Sequence, residues 1–156
     1  MSDLNIYKAR RAEVAKRMED NSILILSSSK LVARNNDTTF PFRQDSNFFY
    51  LTGFQEPDSV LIVHSDGRSI LFCREKNPDL EKWDGFMWGP AAAQENFGFD
   101  EAHDINLIDE ILPNLIRGHK TLNALIGKNL DFDSKVTNWI NKANSMERHQ
   151  GNIDLK

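Results

Sequence analysis

Cysteine is nearly absent from this chain. Of its 156 residues only Cys73 carries a thiol. A single thiol makes no internal disulfide, and it suits a reducing compartment. Cys73 sits in the apolar run Ser69–Cys73 and reads as a small core hydrophobe rather than a nucleophile. Long apolar runs are missing as well. The longest clean aliphatic stretch is Ile23–Leu26, far short of the ~20 residues that span a bilayer. Residues 1–20 offer no signal-peptide core, because Lys8, Arg10, Arg11, Lys16 and Arg17 are interspersed with Asp3, Glu13, Glu19 and Asp20. The expectation is a cytoplasmic protein without membrane contact. Positive charge is not in surplus: the net charge is -4, so the basic face of a nucleic-acid binder is not expected.

Chemical motifs are also scarce. The four histidines are His64, His103, His119 and His149; none pair at helical ligand spacing and no H-E-x-x-H occurs. Each is read as a surface or satisfied histidine. Gly127-Lys128 lacks the upstream glycine and the following Ser or Thr of a phosphate loop, and there is no G-x-S-x-G elbow. The acidic pair Asp109-Glu110 falls on the polar face of a helix, where solvation explains it. No catalytic residue and no metal ligand is expected within this chain.

What remains is a foldable pattern. A chain of this length buries roughly 68–70% of its unfolded surface and needs no staple. Leu4, Tyr7, Val14 and Met18 place a helix over 4–18, with its basic residues on the solvated side. Ser22–Leu26 reads as a strand covered on both faces. The polar stretch 30–44 reads as a long connection of the kind that is often functional. Asn47–Thr52, rich in aromatics, reads as a strand. Ser59–His64 and Ser69–Cys73 flank Asp66-Gly67, which predicts an antiparallel hairpin with a tight two-residue turn. Asn77-Pro78 starts a short helix to Asp84, and Pro90–Asn96 a second one. Ala102–His103 suits a brief strand. Asp104 caps a helix to Arg117, which Pro113 should kink or break. Thr121–Ile126 is a strand candidate, and Asp131–Asn144 a final helix. Together these predict a single α/β domain over 1–145, a mixed sheet flanked by helices, with 146–156 as the start of a linker.

Two segments carry more. One is F-P-F-R-Q-D-S-N-F-F-Y-L-T-G-F-Q-E-P-D, from Phe40 to Asp58. The other is E-K-W-D-G from Glu81 to Gly85, followed by G-P-A-A-A from Gly89 and F-G-F-D-E-A from Phe97. Both resemble the N-terminal domain of proline-specific aminopeptidases of the creatinase/prolidase group. The opening helix with Arg10-Arg11, the apolar strand and the hairpin fall in the same order, so the resemblance covers roughly residues 5–150. It implies a creatinase-type N-terminal fold. It implies a parent Xaa-Pro aminopeptidase whose C-terminal "pita-bread" domain carries two divalent metals, usually manganese, on Asp, Asp, His, Glu and Glu ligands. That ligand set is expected beyond residue 156, so this chain is expected to be non-catalytic alone and to have no cofactor of its own.

The resemblance also assigns partners and candidate residues. The expected partners are the C-terminal domain of the same protein, Xaa-Pro peptides and further copies in a dimer or tetramer. In related tetramers an N-domain tryptophan reaches toward a neighbour's active site, and Trp83 stands at the matching place. The alternative is that Trp83 packs on its own domain. Asp37, in the long loop, is a second candidate for reaching substrate or a neighbour, against ordinary solvation. Phe48 and Tyr50 are read as packing residues, and Arg43 and Gln44 as ties for the loop. The rival readings are the N-domain of a prolidase-type dipeptidase and a non-catalytic peptide- or protein-binding module of the same fold.

Overall fold

The structure, a computed structural model, describes residues 3–29, 42–125 and 129–149. Among the described residues five strands form one mixed sheet: β1 (Ser22–Ser27), β2 (Val60–His64), β3 (Ser69–Cys73), β4 (Glu101–Asp104) and β5 (Thr121–Ala124). Their spatial order is β4-β3-β2-β1-β5. The central pairs β1–β2 and β2–β3 are antiparallel, whereas β5 joins β1 and β4 joins β3 in parallel. Every residue of β2 and β3 is buried. Their unbroken apolar runs are what a strand needs when helices cover both of its faces.

The described residues form six helices, α1 (Asp3–Arg17), α2 (Ser46–Thr52), α3 (Pro78–Asp84), α4 (Pro90–Phe97), α5 (Ile108–Ile116) and α6 (Leu130–His149), and all but α3 supply that cover. On one face Ile23, Ile25, Ile62, Ile70 and Phe72 pack against Leu112, Ile116, Phe132, Val136 and Trp139 of α5 and α6. On the other, Leu61, Val63, Leu71 and Cys73 meet Ala15, Phe48, Leu51, Ala93 and Phe99 from and beside α1, α2 and α4. The single α/β domain with a mixed sheet and an antiparallel hairpin is therefore as expected. Among the described residues no helix is long and apolar enough to cross a membrane.

Several local expectations are corrected. Asn47–Thr52 is not a strand; Ser46–Thr52 is the helix α2. The Asp45 carboxylate accepts the Phe48 amide at 3.0 Å and Gly53, at φ 69°, closes the last turn. The buried positions Phe48, Leu51 and Thr52 follow helical spacing, which outweighs the β preference of the aromatic run. The hairpin registers Leu61 on Leu71 and Ile62 on Ile70, but its turn is not the two-residue type. The His64 amide bonds the Arg68 carbonyl at 2.8 Å around Ser65, Asp66 and Gly67, and of these only Gly67 has positive φ. Asp66 instead accepts the Arg68 amide at 3.0 Å.

Pro113 does not break its helix. A 3-10 turn at Ile105–Leu107 leads into α5, which runs through Pro113 and ends one turn later. The Asp109 carbonyl, deprived of a proline amide, accepts Lys142 Nζ of α6 at 3.3 Å. The last helix is longer than expected, reaching His149, because Ser145, Met146 and Glu147 continue it without a breaker. The strand expected over 121–126 ends at Ala124; residue 126 lies outside the described residues.

Candidate functional site

The segment between β3 and α4 stands out from the sheet. The Asn77 side chain accepts the amides of Asp79 and Leu80 at 3.0 and 3.3 Å, and Pro78 supplies the preset φ of a first helical residue. The resulting helix, α3, ends at Gly85, whose φ of 88° a side chain would resist. Apart from Asp84, whose side chain is not described, none of its residues is buried. Trp83 is 85% exposed, with Leu80 at 47% and Phe86 at 63% beside it. A cleft of about 450 Å³ undercuts this helix between Asp58, Arg74, Lys76, Asn77, Leu80 and Asn106.

Two carboxylates hold the base of the segment. Glu81 accepts the Met87 amide at 2.8 Å and Lys76 Nζ at 3.0 Å, and the Met87 hydrogen bond, ahead of Lys76, keeps its carboxyl below the ordinary range. Lys76 also donates to the Met87 carbonyl at 3.0 Å and lies 4.4 Å from the Phe86 ring centre. Deeper in, Glu56 accepts the Trp88 amide on Oε2 at 2.8 Å, while its Oε1 faces Arg74 Nη2 at 3.3 Å. Trp88 stacks edge-on against Phe97 and Phe86. Sequence reasoning missed Glu56 and Glu81 as anchors; a carboxylate inside the aromatic motif, just before Pro57, was the available signal for the first.

The other singled-out residues fall as follows. Asp37 lies outside the described residues. Gln44 does tie its loop, accepting the Ser29 and Asp45 amides and donating to the Phe54 and Glu56 carbonyls. Arg43 is exposed. Phe48 is in the core, whereas Tyr50 is largely exposed and stacks under Arg10 at 4.1 Å. Cys73 is buried, and burial pushes its thiol up to about 12, which leaves it inert.

Arg11 departs from the expected solvated basic face. It is 2% exposed and donates to the carbonyls of Leu51, Phe97 and Gly98. Asp109 is not merely solvated either, since it accepts Trp139 Nε1 at 2.8 Å. His64 is buried and pairs with His119, Nδ1 to Nε2 at 3.1 Å, while His103 faces Glu101 at 3.0 Å. Burial, ahead of the nearby Arg68 and His119, pushes His64 down to about 4. No cluster of three or more His, Cys, Asp or Glu among the described residues could hold a metal ion.

This α/β domain with a projecting, doubly clamped helix matches a known class. The family described as aminopeptidase P, N-terminal domain, matches residues 7–124, and the chain belongs to that family. The Xaa-Pro aminopeptidase of Haemophilus influenzae is 39% identical over 122 residues, covering 76% of this chain and 28% of that protein. The structure of Pseudomonas aeruginosa aminopeptidase PepP superposes with a TM-score of 0.89 at 41% identity, covering 95% of this chain and 34% of that one. Escherichia coli aminopeptidase P in its low-pH form gives 0.90 at 29% identity, with 96% and 35% covered. The chain thus spans about a third or less of the length of these relatives.

Proposed function

We propose that this domain serves a parent Xaa-Pro aminopeptidase as its assembly and substrate-gating module. The parent would remove a first residue that precedes proline, and the hydrolytic chemistry would reside in its C-terminal domain. Two divalent metals, manganese by the resemblance, are proposed for that domain; the described residues of this chain offer no fitting donor set for them. Trp83 is proposed to meet substrate at the active site of another copy in a dimer or tetramer, and a single buried thiol is consistent with work in the cytoplasm.

One observation carries this reading: Trp83 is 85% exposed on a helix whose base is clamped. A large apolar ring left in water costs the domain solvation and contributes nothing to its core. Held rigidly, it offers a flat surface to a proline ring at little entropic cost on binding. The test is manganese-dependent release of the first residue from Xaa-Pro and Xaa-Ala peptides. The parent should cleave the first and spare the second, and this chain alone should cleave neither. Release by the isolated chain, or a parent indifferent to proline, would refute the reading.

A further inference from the structure

The reading of Trp83 as a substrate-facing residue leaves a question of mechanics. Apart from the undescribed Asp84 side chain, α3 has no buried side chain, so its own packing does not fix where Trp83 points. Its direction comes from the two chain ends on which it stands, to which Glu81 of α3 is bonded at the Met87 amide and Lys76 Nζ. The outgoing end leaves β3 at Arg74, and the returning end comes back through Met87 and Trp88 to Gly89. Glu56 lies between them. It is 5% exposed, and its two oxygens are divided between the two ends. Oε1 faces Arg74 Nη2 and Nε at 3.3 and 3.4 Å; Oε2 accepts the Trp88 amide at 2.8 Å.

The clamp is itself fixed. Gln44 Nε2 donates to the Glu56 carbonyl at 2.9 Å and to that of Phe54 at 3.0 Å, so the backbone that carries the carboxylate is held to the 44–45 loop. Charge-assisted hydrogen bonds of this kind are about twice as strong as neutral ones. Only a carboxylate fits the position, because both oxygens meet donors. A glutamine would keep one bond and turn its own N–H groups toward the other donor.

We infer that Glu56 is the positioning residue for Trp83: it ties Arg74 to Trp88 and so fixes the helix that carries the tryptophan. The inference rests on the proposed role of Trp83, and the experiment separates the two. In the full-length parent, Glu56→Ala, Glu56→Gln, Trp83→Ala and Glu56→Ala/Trp83→Ala are compared by two readouts. The first is tryptic cleavage after Lys82, an exposed site in α3, which reports local opening of the segment. Glu56→Ala should speed it by about tenfold or more, Glu56→Gln by less, and Trp83→Ala hardly at all. The second is kcat/KM for an Xaa-Pro peptide. Glu56→Ala should lower it, and the double variant should be no slower than Trp83→Ala alone, because both changes remove one function. Unchanged cleavage after Lys82 in Glu56→Ala overturns the inference, whatever the kinetics. Multiplying kinetic losses in the double variant overturn it too, since Glu56 then acts through something other than Trp83. If cleavage rises as stated but Trp83→Ala is kinetically silent, the clamp stands and the role given to Trp83 falls. Glu56→Gln, which keeps one bond, serves if the alanine variant fails to fold.

Discussion

Replacing Arg11 with methionine should weaken the joint between α1, α2 and α4. Arg11 sits on α1, 2% exposed, with its guanidinium 4.4 Å from the centre of the Phe99 ring. Its Nη1 donates to the Leu51 carbonyl at 2.8 Å, in the last turn of α2. Its Nη2 donates to the Phe97 and Gly98 carbonyls at 2.9 and 3.2 Å, at the end of α4. One side chain therefore caps two helix C-termini, where orphan carbonyls and the negative dipole end favour a cation. Burial pulls its pKa down to about 10, against the opposing pull of Asp100, so it stays charged at neutral pH. Methionine preserves the apolar stem and removes every donor. The Leu51 carbonyl is then left dry at a cost of ~1–3 kcal/mol, while the other two, partly buried, regain some water. Relief from burying a charge offsets part of this. The net loss should be about 1–3 kcal/mol, or a fall in Tm of roughly 2–12 °C for a chain of this size. Urea and thermal unfolding of the wild-type chain, Arg11→Met and Arg10→Met measure it. Arg10 is the control: it lies over the Tyr50 ring at an exposed site, where such a contact is worth ~0.5–1 kcal/mol. An Arg11→Met loss below about 1 kcal/mol, or one no larger than that of Arg10→Met, would refute the joint.

Two further outcomes concern stability. Trp83→Ala should change the unfolding free energy of this chain by no more than about ±0.5 kcal/mol, as at an ordinary surface site, and a loss of ~3–5 kcal/mol in urea unfolding would return the ring to a core. His64 takes its proton near pH 4 in the fold but at its ordinary 6.5 when unfolded, so the unfolded chain binds more protons between those values. Stability should be full above pH 6.5, fall by up to about 3 kcal/mol as the pH drops toward 4, and level off below. His119, Arg68, Asp66 and Glu101 are the groups that act on it. His64→Gln should flatten that part of the curve; an unchanged slope would show that another group carries it.

How much of this was legible in the sequence depended on whether packing could be read from local pattern. The β2–β3 strands were, because unbroken runs of Val, Ile and Leu around Asp66-Gly67 admit few other folds, although the number of residues in the turn was not. The exposure of Trp83 was left open, because a glycine at a helix end does not decide burial: Leu51 stands equally close to Gly53 and is buried. The aromatic run at Phe48–Tyr50 misled because its residue types favour strands while the spacing of its buried positions is helical. Arg11 stands at i+4 from Tyr7 on the apolar stripe that continues to Val14 and Met18, a pattern that does mark burial, but its basic neighbours obscured it. Pro113 was judged by its missing amide and by its ring's crowding of the Asp109 carbonyl, and the compensation comes from Lys142 of α6, which no local rule supplies. Glu56 as a clamp depends on Arg74 and Trp88 arriving from two other segments, so its role was visible only in three dimensions.

The role proposed for this domain is to hold the exposed Trp83 in place for an assembled parent enzyme. The most direct measurement is steady-state hydrolysis of an Xaa-Pro peptide by the full-length parent and its Trp83→Ala variant, each with its oligomeric state verified by sedimentation. Loss of one aromatic contact of this kind, worth ~1–3 kcal/mol, predicts a fall in kcat/KM of about fivefold to 150-fold with assembly intact. Equal kcat/KM in equally assembled proteins would contradict the claim.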